Sequence, residues 1–167
     1  MRKHIKVIIL VIILLIGITA IYLVYGPSSY RGMKIKTINL DKFELTLKNK
    51  IDSNKEIDIN DCTDFKWDEC FVFEPYTSPD MIYSTVGYEW TSTNTYFGYL
   101  FFHGLENEII NEDQYAIVFK KGNKVIASKV YNLREMPVIF KENKFSTREA
   151  LFTVEKSSLG YAELIKK

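Results

Sequence analysis

The sequence predicts an α+β protein: an N-terminal transmembrane helix followed by a small antiparallel β-sheet domain with one or two helices. Three observations carry that expectation. Residues 7–25 read VIILVIILLIGITAIYLVY and hold no charge. The strand-like runs beyond them succeed one another without a helix between each pair, which separates α+β from alternating α/β chains. Helical signals are confined to two short stretches, residues 41–52 and 79–86.

The apolar run comes first in the chain. Nineteen residues in a helix reach about 28 Å, close to the hydrocarbon thickness of a bilayer. Arg2, Lys3 and Lys6 precede it, and positive charge stays in the cytoplasm, so the expected orientation is N-terminus inside and C-terminal domain outside. Tyr22 and Tyr25 fall where aromatic rings favour the membrane–water interface. A cleaved secretory signal is the alternative, but its apolar region is usually about 7–15 residues long, and no convincing small-residue cleavage site follows here. No cysteine ends the run to take a lipid. The expected organisation is a cytoplasmic tip at 1–6, the span at 7–25, a polar tether at 26–32 and an extracytoplasmic domain at 33–167.

Charge excludes some partners. The chain has 22 basic and 21 acidic residues. The first 26 residues hold three of the basic and none of the acidic ones, leaving 19 against 21 and a net of −2 beyond them. Nucleic-acid binders show a basic patch or stripe, so no nucleic-acid partner is expected. Cys62 and Cys70 are the only cysteines. Their spacing is neither a zinc nor a thioredoxin signature. On one straight strand they lie too far apart to bond, while a turn at 61–64 brings them together; a disulfide and two separate buried thiols both stay open.

Within residues 41–52, Phe43, Leu47 and Ile51 share one helical face, and Asp41 and Glu44 have capping-box spacing. Trp67–Phe73 is an aromatic strand stopped by Pro75. Ser78-Pro79-Asp80 starts a short helix that Gly87 closes. Tyr96–Phe102, nearly all apolar, reads as the next and most central strand. Tyr115–Phe119 and Lys124–Tyr131 flank a turn at Gly122-Asn123, a β-hairpin. Ala150–Val154 reads as the last strand. The count fits a four-stranded sheet with one or two helices on a face.

Thr63-Asp64-Phe65-Lys66-Trp67-Asp68, continuing to Phe73-Glu74-Pro75-Tyr76-Thr77-Ser78, with Gly87-Tyr88-Glu89-Trp90 and the hairpin at Gly122, resembles a family of small exported, lipoprotein-like bacterial proteins. The resemblance covers roughly residues 41–155. It implies an extracytoplasmic domain and carries no activity. Many such proteins are lipoproteins; this chain lacks the lipid-modified cysteine and has a helix in its place.

Catalytic grammar is sparse. His103 is the only histidine beyond His4, and serine–histidine, cysteine–histidine or multi-histidine metal chemistry needs more. No P-loop, dinucleotide fingerprint or nucleophile elbow occurs. Asp58, Asp61 and Asp64 lack the spacing of a calcium loop. No catalytic residue, cofactor or metal is therefore assigned. The candidate binding surface is Asp68, Tyr76, Tyr88, Trp90 and Arg134. Trp67 and Asp68 fall on opposite faces of their strand. Asp68 either caps a backbone amide or pairs with Arg134, one of two arginines beyond the tether. Tyr76, Tyr88 and Trp90 belong to a tyrosine-rich middle, and such side chains serve cores and recognition surfaces alike. The expected function is a membrane-anchored binding module at the cell envelope. Its partners are the bilayer, through residues 7–25, and an envelope protein. The alternatives are an immunity or inhibitor protein held at the membrane, and a divergent hydrolase using carboxylates.

Overall fold

A computed structural model of the chain describes residues 2–36, 38–53, 55–101 and 111–167. The N-terminal helix α1 (Arg2–Tyr25) exposes its apolar side chains along its length. Among the described residues it is the one helix long and apolar enough to cross a membrane.

Within the tether, residues Ser28–Met33 form a short helix, α2. Tyr30 fastens it to the domain: it is buried and donates its hydroxyl to the Thr93 carbonyl at 2.8 Å. The chain then runs beside residue 91: Ile35 N donates to Thr91 O, and Thr91 N to Met33 O, at 2.9 and 3.0 Å.

Helix α3 (Asp41–Ser53) forms as its periodicity predicts, with Phe43 and Leu47 buried and Ile51 packed against the same core. Its start differs from a capping box. Asn39 Oδ1 accepts the Asp41 amide at 2.7 Å, while Glu44 pairs with Lys129 across the fold. Helix α4 (Pro79–Val86) follows its local signals closely. The Ser78 hydroxyl accepts the Met81 amide, Pro79 holds the first turn, and Gly87 ends the helix at φ +73°.

The expected strand at 96–102 is instead helix α5 (Tyr96–Phe101). Thr95 decides it: its hydroxyl accepts the Gly98 amide at 3.0 Å, and its carbonyl accepts the Tyr99 amide at 3.1 Å. That is an N-cap. None of the six residues is buried, so the segment is not central either.

Eight strands make two four-stranded sheets among the described residues, where the sequence suggests one. The first has the order β4-β3-β2-β6 and is fully antiparallel, built from β2 (Glu69–Phe73), β3 (Gln114–Lys121), β4 (Lys124–Asn132) and β6 (Lys144–Ser146). The second has the order β1-β7-β8-β5, from β1 (Glu56–Asp58), β5 (Val138–Phe140), β7 (Leu151–Lys156) and β8 (Ala162–Lys166). Its β5–β8 pair is parallel. The hairpin matches expectation, and the strand expected at Ala150–Val154 is β7, one residue later at its start and two at its end. Strands β1, β5 and β6 are three residues each, too short to show alternation.

Each face of the first sheet buries its own core. Cys70 and Val72 of β2, with Tyr115, Ile117 and Phe119 of β3, face α3 and the second sheet. Phe71, Phe73, Ala116 and Val118 face α4, Ile35 and Trp90. A bulge between Phe119 and Lys120 changes the parity of β4, so Ala127 lies in one core and Val125, two residues away, in the other. Trp67 is a core residue: it meets Phe119 and Phe145 edge-on and donates its Nε1 hydrogen to Thr63.

Candidate binding site

The structure brings two of the five candidate residues together. Tyr76 and Arg134 line an open cavity of about 630 Å³, shared with Asn111, Glu112, Asp113, Leu133 and Tyr161. Beside it lies an apolar groove of about 250 Å³. Its walls are the end of β2, the start of β3 and the edge strand β5, with Phe73, Pro75, Tyr115, Val138 and Phe140 among them. Leu133 lines both spaces and joins them.

Local structure explains the placement. Strand β2 ends at Phe73, and Glu74-Pro75-Tyr76-Thr77 turns the chain, with Thr77 N donating to Glu74 O at 3.4 Å. Proline at the second position and positive φ at the third mark a type II turn, where glycine is preferred. The third residue here is Tyr76 at φ +64°, the one non-glycine residue with positive φ among those described. The residue is 65% exposed. A tyrosine held in the left-handed region at a cavity mouth is strained where stability alone would select glycine.

Arg134 follows β4. Its amide donates to Asn132 Oδ1 at 2.8 Å, and its Nε lies 3.9 Å from Asp113 Oδ2. Asp113 also accepts from Asn132 Nδ2 at 2.9 Å, and its carbonyl takes the Leu133 amide at 2.8 Å. The guanidinium is held loosely, with a side chain 86% exposed. It offers a forked donor to a carboxylate or carbonyl. Tyr76 and Tyr161 supply phenol rings, and the groove supplies an apolar floor. The arrangement suits an amphipathic segment, with an apolar side chain in the groove and an acidic or carbonyl group at Arg134.

The other three candidates lie elsewhere. Asp68 does not meet Arg134. It sits before the opposite end of β2, where its Oδ2 accepts the Gly122 amide at 2.6 Å, so the hairpin turn claims it. Trp90 is 1% exposed and belongs to a core: Tyr83 meets it edge-on and its Nε1 donates to Ser128 Oγ at 3.2 Å. It cannot form a surface. Tyr88 is half-buried and donates its hydroxyl to Gly32 O at 2.6 Å, tying the segment after α4 to α2.

Tyr161 and Asp113 escape sequence reasoning. The register of the β3–β4 hairpin pairs Gln114 with Asn132 and so sets residue 113 beside 133 and 134; that was the available signal for Asp113. Tyr161 follows Gly160 in the turn before β8, and no local pattern points to it.

Several charged groups away from the cavity have structural partners. Asp58 Oδ1 accepts the Asn60 amide, Asp61 pairs with Lys50 at 2.9 Å, and Asp64 with Lys42 at 3.8 Å. Glu69 is held below the usual carboxylate range by its hydrogen bond to Lys144, with Lys120 adding to it. Cys62 and Cys70 are two separate free, buried thiols. Burial pushes Cys62 up to about 11 against the attraction of Lys50, and pushes Cys70 up as well. Among the described residues, no group of three or more His, Cys, Asp or Glu side chains is placed to hold a metal ion. His103 lies outside the described residues.

These features define a class: an α+β domain behind an N-terminal helix of membrane-spanning length, with an amphipathic surface cavity. Against protein-family models, curated proteins and solved structures, the chain has no match.

Proposed function

We propose that the chain is a single-pass membrane protein with its N-terminus in the cytoplasm. Its domain then works outside as a binding module at the cell envelope. The three basic residues ahead of the apolar run, in the first turns of α1, and the uncharged run itself support the topology. The observation that carries the binding role is the pair of adjoining spaces: a cavity lined by a strained exposed Tyr76 and a loosely held Arg134, and an apolar groove with which it shares Leu133. Pre-shaped apolar space with a few convergent polar groups is the usual form of a recognition site. A protein segment of the envelope, apolar with an acidic group beside it, is the occupant this chemistry fits.

The test uses the full-length chain as bait in detergent-solubilised envelopes after mild cross-linking. One stoichiometric partner is expected, lost in Tyr76→Ala/Arg134→Ala and kept in a variant altered on the β7 surface at Leu151→Ala. Equal capture by all three forms, or no partner for a folded bait, would remove the binding role from this cavity.

A further inference from the structure

The base of the domain carries a second surface that none of the candidates above includes. Helix α5 is two-sided. Tyr96 and Tyr99, three residues apart, face the protein: both rings meet that of Tyr30, at 5.4 and 5.5 Å, and Tyr96 also meets Tyr22 of α1 edge-on at 5.6 Å. Phe97, Leu100 and Phe101, spaced i, i+3 and i+4, form the other side and are 42%, 43% and 62% exposed. The Phe97 and Phe101 rings lie 4.7 Å apart, so the apolar side is continuous.

The contact with α1 fixes the depth of this helix. Tyr22 precedes Gly26 by four residues, about 6 Å of helix rise, so α5 starts alongside the last turn of the apolar run. The approach is close. Gly26 has φ +62°, and a Cβ built on it would lie 2.7 Å from Tyr96 Cβ. Any side chain at residue 26 would push α5 away from α1. Immediately beyond, Arg31, Lys34 and Lys36 line an open cleft of about 670 Å³ with Ile35, Ser92 and Asn94, and no acidic residue lines it among the described residues. Lys34 Nζ donates to Asn94 O at 2.7 Å, and Arg31 reaches Gly26 O at 3.5 Å.

We infer that α5 and this cationic cleft form a second bilayer contact, in which the Phe97/Leu100/Phe101 side enters the headgroup–acyl boundary and the cleft receives an anionic phospholipid headgroup. Aromatic and apolar side chains at that depth, with cations one step above, are the composition of an interfacial helix. The consequence is orientation: the domain is held against the membrane at two points and does not swing on a free tether. The inference rests on the membrane-anchored reading of α1.

The experiment separates the two. The full-length chain is reconstituted into phosphatidylcholine vesicles with or without phosphatidylglycerol. An environment-sensitive fluorophore is placed at Leu100→Cys, at Val11→Cys within the span, or at Arg148→Cys as an aqueous reference, and quenched by nitroxide lipids of known depth. The native thiols are buried and do not compete for label. Expected are deep quenching at 11, quenching at 100 several-fold above that at 148 by shallow nitroxides, and a further rise at 100 with phosphatidylglycerol. Lys36→Glu alone should reduce that rise and R31E/K34E/K36E should abolish it, while quenching at 11 is unchanged. Deep quenching at 11 with position 100 no more quenched than 148 overturns the inference and leaves the anchor standing. A rise that survives charge reversal overturns the headgroup site. Loss of quenching at 11 removes the anchor reading itself.

Discussion

Asp68 accepts the backbone amide of Gly122 at 2.6 Å, fastening the head of β2 to the turn of a hairpin in which it takes no part. The Asp68 amide donates to Lys120 O and its carbonyl accepts from Thr147 N, so one residue joins three segments. The carboxylate is the one element of this set that mutation can remove. A hydrogen bond to a charged group contributes about 1.5–3 kcal/mol when shielded, and Asp68 is exposed, so Asp68→Ala is expected to cost about 1 kcal/mol. Urea denaturation measures it. Asp68→Asn, which keeps an acceptor, should cost less than half as much. Partner capture should be untouched by either.

Tyr76 should show the opposite balance. Its left-handed backbone costs roughly 1–2 kcal/mol relative to an ordinary conformation. Glycine removes that strain but adds about 0.5–1 kcal/mol of chain entropy to the cost of folding. Tyr76→Gly is therefore expected to leave stability unchanged or raise it by up to about 1.5 kcal/mol, while weakening partner capture. Tyr76→Val, β-branched at the same φ, should lower stability by about 1–2 kcal/mol. A melting series on the three proteins decides it. A large loss of stability in Tyr76→Gly would mean that the ring contributes packing and is not held there at a cost.

These two residues mark the boundary of what the sequence makes legible. Helix α4 is written locally, in Ser78, Pro79 and Gly87, and forms accordingly. The Thr95–Gly98 cap is also local, but a run of aromatic residues outweighs it when composition is used to infer a strand. Three-residue strands carry no usable period, so the second sheet is visible only through pairings such as Ile57 with Phe152, 95 positions apart. The site divides in the same way. Tyr76 is singled out only as one of a tyrosine-rich middle, and that composition does not show its left-handed turn, whereas Arg134 needs the hairpin register to find Asp113 instead of Asp68. Trp90 shows the limit of residue type: the same ring serves a surface or a core, and here Ser128 and Tyr83 enclose it.

The thiols should be silent in the folded protein. At about pH 8, a group raised to about 11 leaves Cys62 roughly one thousandth ionised, and burial blocks reagent access as well. Cys70 is buried on β2 and raised by the same desolvation. Ellman's reagent is expected to titrate no thiol in the native chain and two after unfolding in guanidinium. Rapid native reaction of one thiol would show that its segment opens locally.

Glu149 sets an acid limit. Its carboxylate is drawn from 4.5 down to about 2, first by the hydrogen bond from Lys166 at 2.7 Å and then by Ser146, whose hydroxyl and amide it accepts. A depressed folded-state value means that its contribution is fully present above about 4.5 and fades as the pH falls toward about 2. Glu149→Gln should therefore differ from the parent most above the upper value, and the two stability curves should converge below it. Parallel curves across that window, followed by denaturant midpoint, would assign the acid response to other carboxylates.

Tyr115 and Tyr131 stack across the hairpin with ring centroids 5.5 Å apart, and their hydroxyls have different fates. Tyr115 donates to Met136 O at 3.3 Å. The buried Tyr131 hydroxyl makes no well-formed hydrogen bond among the described residues, although the Glu44 carboxylate lies close enough to act on it. Burial, with the Glu44 carboxylate adding to it, raises both phenols far above their ordinary value, so both stay neutral. Glu44 itself is bonded to Lys129. Removing a satisfied hydroxyl costs about 1 kcal/mol, whereas removing an unsatisfied buried one relieves a desolvation penalty of similar size. Tyr115→Phe is thus expected to destabilise by about 1 kcal/mol. Tyr131→Phe is expected to be neutral or stabilising by up to about 1 kcal/mol, since each change keeps the ring and its stacking. A destabilised Tyr131→Phe would place a bound water, or a shifted Glu44, on that hydroxyl.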